Sequence, residues 1–494
     1  MKQQAYNPFL PAGVCIPDGE PHVFGDRVYL FGSHDQEGGD SFCLLDYEVW
    51  SAPIDDLSDW SCRGVSYSSR QDPRCSETMS YMYAPDCVRG NDGRYYLYYC
   101  LAGWRGVGGY SNPISVAVCD TPDGNYHFYG TVRNPDGTPF TRYICFDPAV
   151  INDNGTIRLY FGTNYSWFEN MPLNVMKERA IRKMSGRTKE EIRAVPEGIM
   201  GAYHAVLLDD MVTLKSLPRR IDTCIAGKDY PAHSFFEGAS IRKIGDRYCF
   251  IWSSIKNDEL CYALSNYPDG NFVYGGTIVS AGDTGLNGRK AKDRLNHTGT
   301  THGSIECING TWYVFYHRLT HGSDYSRQAC AEKITILADG TIPQVEVTSC
   351  GLNGKPLQAE GTYPAWIACN ITNGRMPHTS NGKVKKPMPK VTHNGEERYI
   401  TDIRNRTLIG FKYFVFEKEC TLRLVYRSEE DGEMEICVQE DGPEAAILPI
   451  EKGTSWHSSE TVLQGIRGTH PLYFRYQGNG SVDLLEFTLT LESN

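Results

Sequence analysis

The sequence predicts an all-β protein, a five-bladed β-propeller followed by a jelly-roll-like β-sandwich. Three observations carry that prediction. Glycine (49), tyrosine (31) and proline (26) are plentiful among the 494 residues, a mix that favours short strands and tight turns. One turn-and-strand signature recurs five times in the first two thirds of the chain. The last third holds a different set of strands with hydrophobic alternation.

The five units come in order. "GDRVYLFGSH" begins at Gly25, "DGRYYLYYC" at Asp92, "NGTIRLYFGTN" at Asn154, "GDRYCFIWSS" at Gly245 and "NGTWYVFYHR" at Asn309. Each is a polar-glycine turn entering a β-branched and aromatic run, the second half of a hairpin. A repeat of about 60 to 90 residues built from short strands points to propeller blades rather than a helical solenoid. The stretch 174–195, "NVMKERAIRKMSGRTKEEIRAV", has helical composition and reads as an insertion between the third and fourth units. The propeller then occupies residues 1–350. From residue 355 the chain turns rich in Gly, Pro, Asn and Lys and reads first as an irregular linker. "TLIGFKYFVF", "CTLRLVYRS", "GEMEICVQE", "HPLYFRYQG" and "SVDLLEFTLTLE" follow as strands of a small antiparallel sandwich within 355–494.

Composition narrows the function. The formal net charge is -11 and no Lys/Arg block occurs, which argues against nucleic acid or an anionic membrane as partner and for a neutral ligand. No apolar run reaches the roughly 18 residues of a membrane-spanning helix. "MKQQAYNPFLPAGVCIPDGEP" has no apolar core and no A-x-A-like cleavage site, so no signal peptide is expected. The 17 cysteines are scattered through apolar runs without a C-x-x-C pair. That pattern fits buried, reduced thiols in a cytoplasmic protein without structural zinc. Oligomeric state leaves no mark in the sequence.

Chemistry enters through polar residues at one register. Asp18, Asp86, Asp147, Glu237 and His302 each stand seven or eight residues before the marker glycine of their unit. The innermost strands of a propeller converge on its axis, so these five are expected as a ring at one end of the channel. Carboxylates gathered there repel one another and shift their pKa values, a cost that a core built only for packing has no reason to carry. Taken singly, an Asp before a strand is most often a turn or cap residue. The shared register is what favours function.

At these residues the chain resembles glycoside hydrolase family 43, five-bladed propellers that cleave arabinosyl and xylosyl linkages with inversion. "NPFLPAGVCIPDGEPHVFGDRVYLFGSHD" resembles the opening blade, and the resemblance makes Asp18 the general base, although Pro17-Asp18-Gly19 stands where Pro-Asp-Pro is common. "FDPAVINDNG" resembles the segment of the third carboxylate, Asp147, which orients the acid and tunes its pKa. "FFEGASIRKIGDRY" gives Glu237 as the general acid. "THGSIECINGTWYVFYHR" resembles the last blade, whose histidine, His302, sits beside a calcium or other cation held mostly through water. "YSRQACAEKI" gives Arg327 as a residue that reaches the sugar. Asp86 in "YMYAPDCVRG" and Trp104 in "LAGWRGVGGY" join the substrate-binding candidates, Asp86 with a positioning role and Trp104 with packing as their plainer alternatives.

The resemblance implies an inverting, exo-acting hydrolase that needs no cofactor for its chemistry. It would release L-arabinofuranose from arabinoxylan- or arabinan-derived oligosaccharides, with β-xylosidase as the alternative. The C-terminal strands resemble a family 6-like carbohydrate-binding module, against a domain that merely braces the propeller. Two rivals stand. Retaining, invertase-like fructosidases share the fold, but their Asn-Asp-Pro-Asn-Gly and Glu-Cys segments are absent at the matching places. A non-catalytic sugar-binding propeller would bind oligosaccharide without turnover.

Overall fold

The computed structural model describes residues 4–164 and 175–492. Five small antiparallel sheets stand in sequence order, each running outward from an inner strand. The first holds β1 (Glu20–Phe24), β2 (Arg27–Phe31), β3 (Tyr47–Pro53) and β4 (Ser61–Tyr67). The second holds β5 (Tyr81–Arg89), β6 (Tyr95–Ala102), β7 (Ser115–Cys119) and β8 (His127–Thr131). The third holds β9 (Ala149–Asp153), β10 (Thr156–Thr163), β11 (Gly201–Val206) and β12 (Arg219–Arg220). The fourth holds β13 (Phe235–Ile244), β14 (Arg247–Ser254), β15 (Glu259–Ser265) and β16 (Val273–Ser280), and the fifth β17 (Ser304–Ile308), β18 (Thr311–Arg318) and β19 (Gln328–Lys333).

Each of the five repeated signatures forms the second strand of its sheet, as the sequence led us to expect. β1 packs on β5 and β17, β9 on β5 and β13, and β13 on β17, which makes a closed ring. Aromatic and β-branched side chains fill the wedges between neighbouring sheets, for example Tyr160, Phe235, Phe250 and Trp252 between the third and fourth. The seam between fifth and first sheets is closed by the start of the chain. Asn7 Nδ2 donates to the Ala331 carbonyl (2.8 Å) and to Glu332 Oε1 (2.9 Å), and its Oδ1 accepts the Ala331 N–H (2.9 Å). Phe9 N–H bonds to the Ala329 carbonyl at 3.2 Å, and Leu10 and Ile16 pack with Phe315 and Ala331 behind it.

Two expectations need correcting. The helical stretch, α1 (Val175–Ser185) and α2 (Lys189–Arg193), lies inside the third sheet, between β10 and β11. The third sheet's own third strand, "GAYHAV", begins only at Gly201, so the helices delay a blade rather than separate two. A capping box starts α2: Thr188 N–H reaches Glu191 Oε2 (2.7 Å) and Glu191 N–H reaches Thr188 Oγ1 (3.2 Å). Asn174, the first residue of the stretch, lies outside the described residues.

The second correction concerns the expected linker after residue 355. It contains strands Leu357–Gln358, Gly361–Pro364, Asn370–Thr372 and Lys390–His393, which join the two six-stranded sheets of the C-terminal sandwich. Phe411, Phe414, Phe474 and Phe487 meet between those sheets. The sandwich is bonded to the propeller through buried groups. Lys412 Nζ contacts Glu346 (2.8 Å) and Asp283 (3.4 Å), and Arg318 donates to the Ala368 carbonyl (2.7 Å).

Candidate active site

The first strands carry the site because of a shared backbone turn. Asp18, Ala84, Asp147 and Gly238 all take positive φ, at 59°, 37°, 46° and 67°. Each stands two residues before the ladder position held by Glu20, Asp86, Ala149 or Ser240. Aspartate tolerates this left-handed conformation better than most residues. In the fourth blade the turn falls on Gly238, where a Cβ would come within 3.1 Å of the His302 ring. Glycine there lets Glu237, one residue earlier, swing into the axis beside the histidine.

One cavity of about 140 Å³ is lined by Asp18, Asp147, Glu237, His302 and Arg327. Five of the seven residues singled out from sequence therefore meet around one space. Asp86 does not reach it. It is fully buried one layer deeper, accepting from Val150 N–H (2.7 Å) and Cys87 N–H (2.7 Å) and lying 2.6 Å from His22 Nε2. The reason is hairpin length. β1 and β2 are joined by Gly25-Asp26, whereas β5 and β6 are joined by residues 90–94. Counting back seven from Gly93 thus stops two residues short, in the second layer, and Ala84 takes the ring position. Asp86 belongs to a buried charge group with Glu20 and Arg242, which pair at 2.7 Å. Trp104 also lies outside the cavity wall, at 44% exposure, with Arg105 against its ring (5.7 Å); Arg105 and Gly106 line the wall instead.

Asp18 is the most tightly held carboxylate. Arg327 Nη1 contacts both of its oxygens, at 2.8 and 3.0 Å. The same guanidinium pairs with buried Asp35 through Nε (2.8 Å) and Nη2 (3.0 Å), and Phe42 covers it at 4.8 Å. Burial pushes the Asp18 carboxyl up, but the Arg327 charge, with His317 and His302, brings it down to about 2. Asp18 N–H donates to His317 Nδ1 (3.3 Å), so the imidazole proton sits on Nε2, toward Thr300 Oγ1 (3.2 Å). Burial lowers His317 to about 3, which keeps the ring neutral. Arg327 therefore grips the base candidate rather than standing free for a sugar.

The other two carboxyls behave oppositely. Burial, then the charge of Asp18, pushes Glu237 up to about 8. Burial and the charges of Glu237 and Asp18 raise Asp147 as well, opposed by the Gly238 N–H that Asp147 Oδ2 accepts at 3.0 Å. The resemblance gave Asp147 the task of orienting the acid and tuning its pKa. Both carboxyls are pushed up together, so they behave as a pair that shares a proton, and the Gly238 N–H is the contact that opposes the rise at Asp147. Asp35, His317, Phe42 and Arg105 were missed from sequence. Only Asp35 left a signal there, as the polar end of the "GSHD" segment.

A family model described as glycosyl hydrolases family 43 matches residues 7–342. A xylosidase/arabinosidase of Thermoclostridium stercorarium is 40% identical over 506 residues, covering 99% of both chains. A xylosidase/arabinosidase 43A of Humicola insolens is 29% identical, covering 67% of this chain and 97% of its own. Among solved structures, the GH43_1 enzyme from Xanthomonas citri complexed with xylose superposes with a TM-score of 0.52 at 25% identity, over 71% of this chain and 96% of its own.

Proposed function

This chain belongs to glycosyl hydrolase family 43 and hydrolyses O-glycosyl bonds, and we propose that it removes terminal L-arabinofuranosyl residues, and β-D-xylosyl residues as the second activity, from short plant-derived oligosaccharides with inversion. The observation that carries the reading is the opposite tuning of two carboxyls in one cavity, Asp18 at about 2 and Glu237 at about 8. At neutral pH Asp18 is an anion and Glu237 an acid. Hydrolysis with inversion needs that pair: a carboxylate to take a proton from water and a carboxylic acid to give one to the leaving oxygen. In this reading Asp147, fixed by the Gly238 N–H, orients Glu237, and Arg327 holds Asp18 in place. The relatives named for both xylosidase and arabinosidase activity support a pocket that accepts either pentose.

The acid–base pair itself draws on no cofactor. A channel cation fits one feature: His302 Nε2 is buried without a hydrogen-bond partner among the described residues. His302 would then be the protein's one ligand and water the rest, and the cation's charge would help keep Asp18 ionised. Free, mostly buried cysteines support a place of action inside the cell; activity found in the culture fluid of the source organism would overturn that assignment.

The test is side-by-side hydrolysis of p-nitrophenyl α-L-arabinofuranoside and p-nitrophenyl β-D-xyloside, with the product anomer read by NMR. Turnover of the first or both with inverted product is expected. Retention would remove the mechanism, and binding without turnover of either would restore the sugar-binding rival.

A further inference from the structure

The cavity wall is not made by the propeller alone. Ser380 and Asn381, from the segment between two strands of the C-terminal sandwich, line it together with the three carboxyls. We propose that this segment, residues 378–383, forms with Arg105 the site that binds the sugar on the leaving-group side of the cleaved bond. The inference rests on the glycosidase reading above and adds to it a second-domain contribution to specificity.

Depth is the first argument. Asp18, Asp147 and His302 lie at the buried end of the cavity, whereas Ser380, Asn381 and Arg105 are exposed at its mouth. An exo-acting enzyme places the terminal sugar at the closed end and the leaving portion toward solvent, so the mouth is where leaving-group hydroxyls arrive. The second argument is how firmly so exposed a segment is held. Thr379 N–H bonds to the Thr298 carbonyl (2.8 Å), Asp324 N–H to the Gly382 carbonyl (3.0 Å) and Val384 N–H to the Gly322 carbonyl (2.9 Å). The buried Asp324 carboxylate accepts from Thr379 Oγ1 (2.7 Å) and from Gly382 N–H (2.7 Å). Ordering a polar loop costs backbone entropy, and these bonds offset that cost at one place, over the mouth.

The third argument is side-chain chemistry. Asn381 takes φ 58°, and its Oδ1 accepts from Tyr325 Oη at 2.9 Å. That bond fixes the amide so that its NH2 is the group offered to the cavity. Arg105 lies over the same tyrosine ring at 5.1 Å, so buried Tyr325 backs both Arg105 and Asn381 behind the cavity wall. Donors of this kind suit the hydroxyl and ring oxygens of a pentose unit.

The experiment compares the full chain with the double variant Ser380→Ala/Asn381→Gly, glycine being chosen to keep the left-handed backbone. Substrates are a p-nitrophenyl glycoside and an unmodified pentose disaccharide carrying the same terminal sugar. The aryl leaving group has no hydroxyls, so kcat/KM on it should stay within about twofold, while kcat/KM on the disaccharide should fall about tenfold or more. Asp324→Asn, which weakens the Thr379 and Gly382 anchors while leaving Ser380 and Asn381 unaltered, should repeat the split. Equal losses on both substrates, or no loss on either, would overturn the proposal. Failure of the unaltered chain to cleave any arabinosyl or xylosyl substrate would instead overturn the function on which it rests.

Discussion

Asp18 and Glu237 owe their different behaviour to one guanidinium. Arg327 contacts Asp18 directly and reaches Glu237 only as a weaker opposing charge, so burial prevails in the glutamate and loses in the aspartate. Asp18→Asn and Glu237→Gln should each reduce kcat on an unactivated oligosaccharide by about 10²–10⁴-fold with the circular dichroism spectrum unchanged. The pH profile follows from the same values. In the proposed mechanism activity needs a protonated Glu237, so kcat/KM should fall above about pH 8, while Asp18 stays ionised down to about 2 and gives no acid limb in the working range. Stability has the reverse slope to the usual carboxylate. Glu237 in the folded chain holds its proton up to about 8, against an ordinary 4.5, so folded stability is lost as pH rises between those values. Glu237→Gln removes that slope. Its melting temperature should therefore gain on the parent between pH 5 and pH 8, by the equivalent of a few kcal/mol at most; an equal pH dependence in both proteins would refute the assignment.

At the scale of elements, the blades were legible in the sequence because each second strand announces itself by a turn and an aromatic run. The ring around the axis was legible only where hairpins are short. Gly25-Asp26 and Asn154-Gly155 keep Asp18 and Asp147 in step, and the longer 90–94 loop throws Asp86 out of it. Loop length is set by local turn geometry, which a count from a marker glycine does not contain. His317 escaped for a different reason: it meets Asp18 from β18, and nothing in its own segment sets it apart, whereas Asp35, which acts through Arg327 from β2's exit, left only the polar end of "GSHD". The seam is the element most open to test. Asn7→Ala removes bonds to Ala331 and Glu332 in a fully buried place, and should cost about 1–3 kcal/mol in denaturant titration with little change in KM.

For the whole molecule, the sequence separated two domains more cleanly than the fold does. The stretch read as a linker is rich in Gly, Pro and Lys because it makes tight turns between short strands and crosses to the propeller mouth, and composition alone does not distinguish those duties from slack. Removing everything after residue 350 would leave Arg318 without the Ala368 carbonyl and Asp283 and Glu346 without Lys412. Such a truncated chain should be recovered mostly as aggregate, and any soluble fraction should melt well below the full chain; a soluble fragment with the parent's melting temperature would show the sandwich to be dispensable.

The position of Asn7 also orders events on the ribosome. Its acceptors on β19 and the loop that reaches the cavity mouth near Asn381 are both synthesised late. A growing polypeptide must keep Asn7 waiting while the strands up to β19 are made, and the pocket wall is incomplete until Asn381 has been added. Stalled nascent chains released just short of that length should be sensitive to protease at their N-terminus, and those released beyond it should be resistant.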